Sequence, residues 1–212
     1  MSSFLRRARP SRLTGRAVAL TAVLTLGPAA LVVAGPAGHA RTVAESRAAG
    51  AVTVAHFAFT PQRLSVPLGG RVVWTFPEPM NHTTTSDNGF WDSRVRSGGA
   101  TYGHTFATAG SYPYHCRIHA SMHGKVVAPM TAAGSAAQGW HLRWASAMPT
   151  GFTVDVQVRR PGSASWASLH RATSRVGGSF HPAKPGSYGL RARTHHGGHT
   201  SGWSPVVTVS VS

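Results

Sequence analysis

The chain has one cysteine, Cys116, in the stretch YHCRIHASMHG from Tyr114 to Gly124, with His119 three residues after it and Met122 three further on. A thiolate and an imidazole at that offset converge on one ion if the backbone curls between two strands, and a thioether then follows on the same loop. The donor set selects among metals. Soft sulfur suits Cu(I), imidazole is accepted by Cu(II), and a site that compromises between them lets one ion alternate with little rearrangement. Zinc gains little from methionine and ordinarily takes four Cys or His ligands. A copper site of this kind needs a second histidine, and His82, just after the segment RVVWTF and the turn PEPMN, is placed to supply it. The competing readings of a lone cysteine are a small buried hydrophobe or, in an exported protein, an intermolecular disulfide.

The elements that must position these residues read as strands. Helix formers with charged faces are scarce, while Gly, Pro, Ser, Thr and Val abound, so the 212 residues predict an all-β protein of two small domains. AVTVAHFAF alternates, RLSVPLGG ends in a turn, RVVWTF is a further strand, and NGFWDSRVRSGGATYGHTFATAGSYPYHC supplies short segments parted by Gly-rich turns before GKVVAP. Strands at this spacing predict a sandwich or barrel rather than βαβ units. Trp74, Phe76, Phe90, Phe106, Tyr112 and Tyr114 are its expected core. Met130 to Gly139, MTAAGSAAQG, is small and featureless and reads as a linker, after which HLRWAS, FTVDVQVRR, SWASLHR, SYGLRART and SPVVTVSV form a second strand series.

Two resemblances attach to these halves. VPLGGRVVWTFPEPMNHTTTS followed by FATAGSYPYHCRIHASMHGKVVAP resembles the cupredoxins, the plastocyanin and amicyanin family of blue-copper proteins, over roughly residues 51–129. The resemblance implies an eight-stranded Greek-key sandwich holding one type 1 copper ion, with His82, Cys116 and His119 as equatorial ligands and Met122 as the long axial one. Two departures stand out. The family often has Asn directly after the first histidine, tethering the ligand loops, whereas here Thr83 follows and Asn81 precedes. Many members have Pro two residues after the cysteine, where this chain has Ile118, whose N–H would raise the reduction potential if it pointed at the sulfur. Residues 136–212, with Trp144, Trp166, the YGLRAR strand and the SGWS turn, resemble a fibronectin type III module. That implies a seven-stranded, immunoglobulin-like sandwich in a spacer or docking role. Residues 130–135 are the expected linker between the two.

Of the other histidines, His104, His115 and His123 read as surface or supporting positions, His56 as a structural residue within an alternating strand, and His195, His196 and His199 as a solvated hairpin loop. Arg6, Arg7, Arg9, Arg12 and Arg16 precede an apolar run from Ala17 to Ala34 and small residues near Ala40. That layout predicts a secretory signal over residues 1–40, with an uncleaved membrane anchor as the alternative, and a flexible lead-in over 41–50. Five of the 21 basic residues lie in that segment and none of the five acids does, so the net charge falls from +16 to about +11 for the remainder. The arginines are scattered, with no basic helix or finger spacing, which argues against nucleic acid and for acidic protein partners. One complete ligand set and few acids also argue against an enzyme. The expected function is extracytoplasmic single-electron transfer by copper. The alternatives are copper binding, buffering or delivery, or docking at the cell surface through the C-terminal module.

Overall fold

Alternation along GRVVWTF, with Val72, Trp74 and Phe76 wholly buried, makes this segment the middle of a sheet rather than a helix face. The computed structural model of the chain describes residues 48–212; the expected signal, the anchor alternative and most of the lead-in lie outside them. The first sandwich is built from β1 (Ala48–Ala55), β2 (Ala58–Thr60), β3 (Arg63–Ser65), β4 (Gly70–Phe76), β5 (Thr85–Ser86), β6 (Ala100–Phe106), β7 (Gly110–His115) and β8 (His123–Ala128). One sheet has the order β2-β1-β4-β6, the other β3-β8-β7-β5, with β1–β4 and β3–β8 parallel. Between them pack Val54, Phe59, Trp74, Phe106, Tyr114 and Val126.

The lead-in expected through residue 50 ends sooner, because Ala48 and Gly50 already pair with Arg71 and Val72. Gly50 is small for cause: a Cβ there would lie 2.6 Å from a methyl of Leu64. AVTVAHFAF is two strands rather than one. Ala55 pairs with Ala58, and His56 and Phe57 form a two-residue turn with φ of 49° and 57°, the geometry of a type I′ hairpin. His56 is therefore at an exposed tip, where its ring meets Glu78 at 2.8 Å, and not inside a strand.

The second sandwich comprises β9 (Thr131–Ser135), β10 (Gly139–Arg143), β11 (Phe152–Arg159), β12 (Ala167–Thr173), β13 (Gly177–Phe180), β14 (Gly186–His196), β15 (His199–Thr200) and β16 (Val207–Val211). A sheet ordered β13-β10-β9 faces one ordered β12-β11-β14-β15, with β16 also on β14. Leu142, Trp144, Val154, Val156 and Leu190 fill the space between. The stretch expected as a linker is strand β9, an edge strand paired with β10 from Thr131 opposite Arg143 to Ser135 opposite Gly139. Its small side chains have weak strand preference, but the backbone ladder to β10 and the burial of Met130 at its start hold it in place.

The two sandwiches share backbone and side-chain contacts. Ala109 N–H donates to Trp144 O (2.8 Å), Ser146 N–H to Ala107 O (2.8 Å), and Ser111 and Gly202 exchange both bonds of a bridge (2.9 and 2.8 Å). The buried Tyr112 hydroxyl oxygen lies 3.3 Å from Thr194 Oγ1, and Thr194 Oγ1 donates to Ala109 O (2.9 Å).

Candidate metal centre

Two loops meet at one end of the first sandwich. The segment after β4 carries His82, whose backbone exchanges both hydrogen bonds with Arg96 at 2.9 Å. Ser93 then ties it again, accepting from Thr84 N–H through Oγ (2.8 Å) and donating its own N–H to Thr84 O (3.0 Å). These bonds fix where the imidazole points. The other loop runs from the end of β7 to the start of β8. Cys116 N–H donates to Met122 O (3.1 Å) and Met122 N–H to His119 O (3.0 Å), so the chain curls and returns the residues of the Cys-x-x-His-x-x-Met run toward one another.

Three donor atoms converge there. Cys116 Sγ lies 3.9 Å from His82 Nδ1 and 3.7 Å from His119 Nδ1, and the two Nδ1 atoms are 3.1 Å apart. Cys116 is 1% exposed, His82 0%, and His119 half-buried. Nitrogen and sulfur donors bound to a single ion at about 2.0–2.3 Å stand roughly 3–4 Å from each other, so these spacings fit one small metal ion. The His82 ring also carries a buried Nε2 without a hydrogen-bond partner, which leaves Nδ1 as its working atom. Burial, then the neighbouring His119, lower the His82 pKa below the ordinary imidazole value against a smaller opposing pull from Glu78. The neutral ring that results keeps the lone pair that ligation needs. Met122 is 1% exposed at the base of the same loop.

Thr83 holds the two loops together. Its N–H donates to Cys116 Sγ (3.3 Å), and its Oγ1 accepts from Arg117 N–H (2.9 Å). The tether expected from an asparagine is thus made by a threonine. Among the described residues, the backbone N–H that reaches the sulfur is that of Thr83 and not Ile118. The Thr85 hydroxyl lies between Thr83 Oγ1 (3.0 Å) and Asp92 Oδ1 (3.2 Å), and Asp92 pairs with Arg117 (3.3 Å).

Sequence reasoning missed Phe57. From the β1–β2 hairpin tip its half-exposed ring stands edge-on to His119, centroids 4.9 Å apart, and 6.3 Å from His82. Ile118, next to His119 in the chain, is also exposed, so the rim of the half-buried histidine carries two apolar residues, Phe57 by ring contact and Ile118 by adjacency in sequence. The signal was absent from the sequence because His-Phe is not a usual I′ turn pair.

Among the described residues, His82, Cys116 and His119 are the group of histidines, cysteine and acids whose ligand atoms all lie within 4.8 Å. The later histidines lie elsewhere: His195 is bonded to Asp155 and Thr200 (both 2.9 Å), and His196 stacks on Phe152.

No family model and no curated protein matches this chain. Solved structures of amicyanin do. An oxidised variant is 30% identical over 38% of this chain and 81% of its own, at a TM-score of 0.36. The reduced Cu(I) form of another variant at pH 4 is 32% identical with the same coverage and TM-score, and a further reduced variant is 30% identical over 41% and 86%, at 0.37.

Proposed function

We propose that this chain is an exported type 1 copper protein that carries single electrons rather than an enzyme, and the convergence of His82 Nδ1, Cys116 Sγ and His119 Nδ1 carries that reading. Met122 would add a weak thioether from the same loop. Bound copper would supply one-electron exchange between Cu(I) and Cu(II). The chain's own residues do the rest. The Arg96 bridge and the Thr83 tether hold the donors with little freedom to rearrange, so neither oxidation state is accommodated by moving the protein. Thr83 N–H withdraws density from the thiolate and favours the reduced state. Cys116 is sealed from water, while His119, beside the Phe57 and Ile118 rim, is the donor nearest solvent and the natural contact for an acidic redox partner.

The basic start and apolar run of residues 1–40 support export, and the strands β9 to β14 with β16 support a fibronectin type III-like second module with a docking role.

The test is the visible and electron paramagnetic resonance spectrum after addition of Cu(II), beside Cys116→Ser. An intense blue band with narrow hyperfine splitting, lost in the variant, is expected, together with reversible electrochemical cycling. A spectrum unchanged in the variant overturns the reading. Blue colour without fast cycling, but with transfer of the ion to a chelating acceptor, turns it to copper delivery.

A further inference from the structure

The outer face of the β3-β8-β7-β5 sheet holds a second histidine pair. His115, the last residue of β7, is directly opposite His123, the first of β8. Their neighbours Tyr114 and Gly124 face the core, so both imidazoles stand on the solvent side. Directly opposed residues of an antiparallel pair have Cβ atoms about 4.5–5.5 Å apart, within reach of one ion for two histidine rings.

Asp87, just after β5, is anchored by its N–H to Pro113 O (3.0 Å), and its Oδ1 lies 2.6 Å from His115 Nδ1. A carboxylate accepting a hydrogen bond from Nδ1–H leaves Nε2 with the lone pair and fixes the ring plane, which is how ligating histidines are commonly oriented. Asp87, His115 and His123 line one open depression of about 530 Å³ with Cys116, Arg117 and Ala120. Arg117 is paired with Asp92 at 3.3 Å, which offsets its charge.

We propose that His115 and His123 form a second, surface metal site for a divalent cation that accepts imidazole, Zn²⁺ or Cu²⁺, with Asp87 as the positioning residue and water completing the shell. The site is independent of the buried centre, although Cys116 borders the same depression. The ligand atoms of Asp87, His115 and His123 are not gathered within 4.8 Å in the structure, so binding would draw the exposed His123 ring toward His115.

Zinc titration followed by the ring ¹⁵N resonances of each histidine tests this, in protein holding one equivalent of copper kept as diamagnetic Cu(I) and in Cys116→Ser. One equivalent should shift the His115 and His123 rings together in both proteins. His123→Asn should abolish the His115 shift, and Asp87→Asn should weaken binding by roughly 10–100-fold. Unmoved His115 and His123 rings, or an undiminished His115 response in His123→Asn, overturn the proposal. A missing blue band bears on the buried centre alone, because the zinc readout does not pass through Cys116.

Discussion

At a single position, Thr83, the backbone N–H and the hydroxyl face two different residues of another loop. Thr83→Val keeps the shape and the N–H to sulfur but strands Arg117 N–H in a partly buried place, which costs about 1–2 kcal/mol. Urea midpoints should fall accordingly, Arg117 amide exchange should quicken, and Thr83→Ser should restore both. A variant as stable as wild type would remove the tether from the account. The pairing of Cys116 with His119 was legible because the two lie three residues apart and local curling alone can bring them together. The tether was not. It depends on which atom comes near Arg117 from 34 positions away, and a hydroxyl there serves where an amide was expected. His56 and Phe57 were hidden for another reason: alternation continues through them while the backbone turns back.

Single strands carry the pH response. His104 on β6 stacks on Trp91, centroids 5.1 Å apart, and burial, with Arg71 nearby, lowers its pKa from 6.5 to about 4. The folded state thus prefers the neutral ring, so this contribution is complete above pH 6.5 and is lost as pH falls toward 4, by up to roughly 3 kcal/mol. Asp155 on β11 answers in a lower window. Burial alone would raise its pKa, but the Ala172 N–H, His195 and Arg193 bonds outweigh it and hold the carboxyl below its ordinary 3.8. Its stabilisation is present at neutral pH and disappears as pH drops below that value. Urea titrations at stepped pH should show a shallower decline between pH 6.5 and 4 for His104→Phe than for wild type, the remainder coming from other buried histidines such as His82, and Asp155→Asn lacking only the more acidic limb. Coincident profiles for all three would refute both assignments. On the same outer face Arg191 is stacked between Trp166 and Trp203, at 4.0 and 4.4 Å from their centroids. The sequence reading did not bring these three side chains together, because Trp166 and Trp203 lie outside the strands and the stack depends on loop geometry.

For the whole molecule, the contacts of Tyr112, Thr194, Ala109 and Ser111 join the two cores, and Leu68 packs against both. Urea unfolding followed by far-ultraviolet circular dichroism and by tryptophan fluorescence should therefore give one coincident transition. Two separated transitions would mean that the sandwiches stand alone. Both sandwiches were legible from alternation, but their union was not, since the run of small residues from Met130 has the composition of a spacer and becomes a strand only through its ladder to β10. Pro129 and Met130 are all that separates β8 from β9, and Met130 is 1% exposed. So short a junction holds no slack. If the second sandwich were held on a surface, the same grip would aim the first, and the Phe57 ring would meet neighbours there at an effective concentration set by rigid geometry instead of chain statistics.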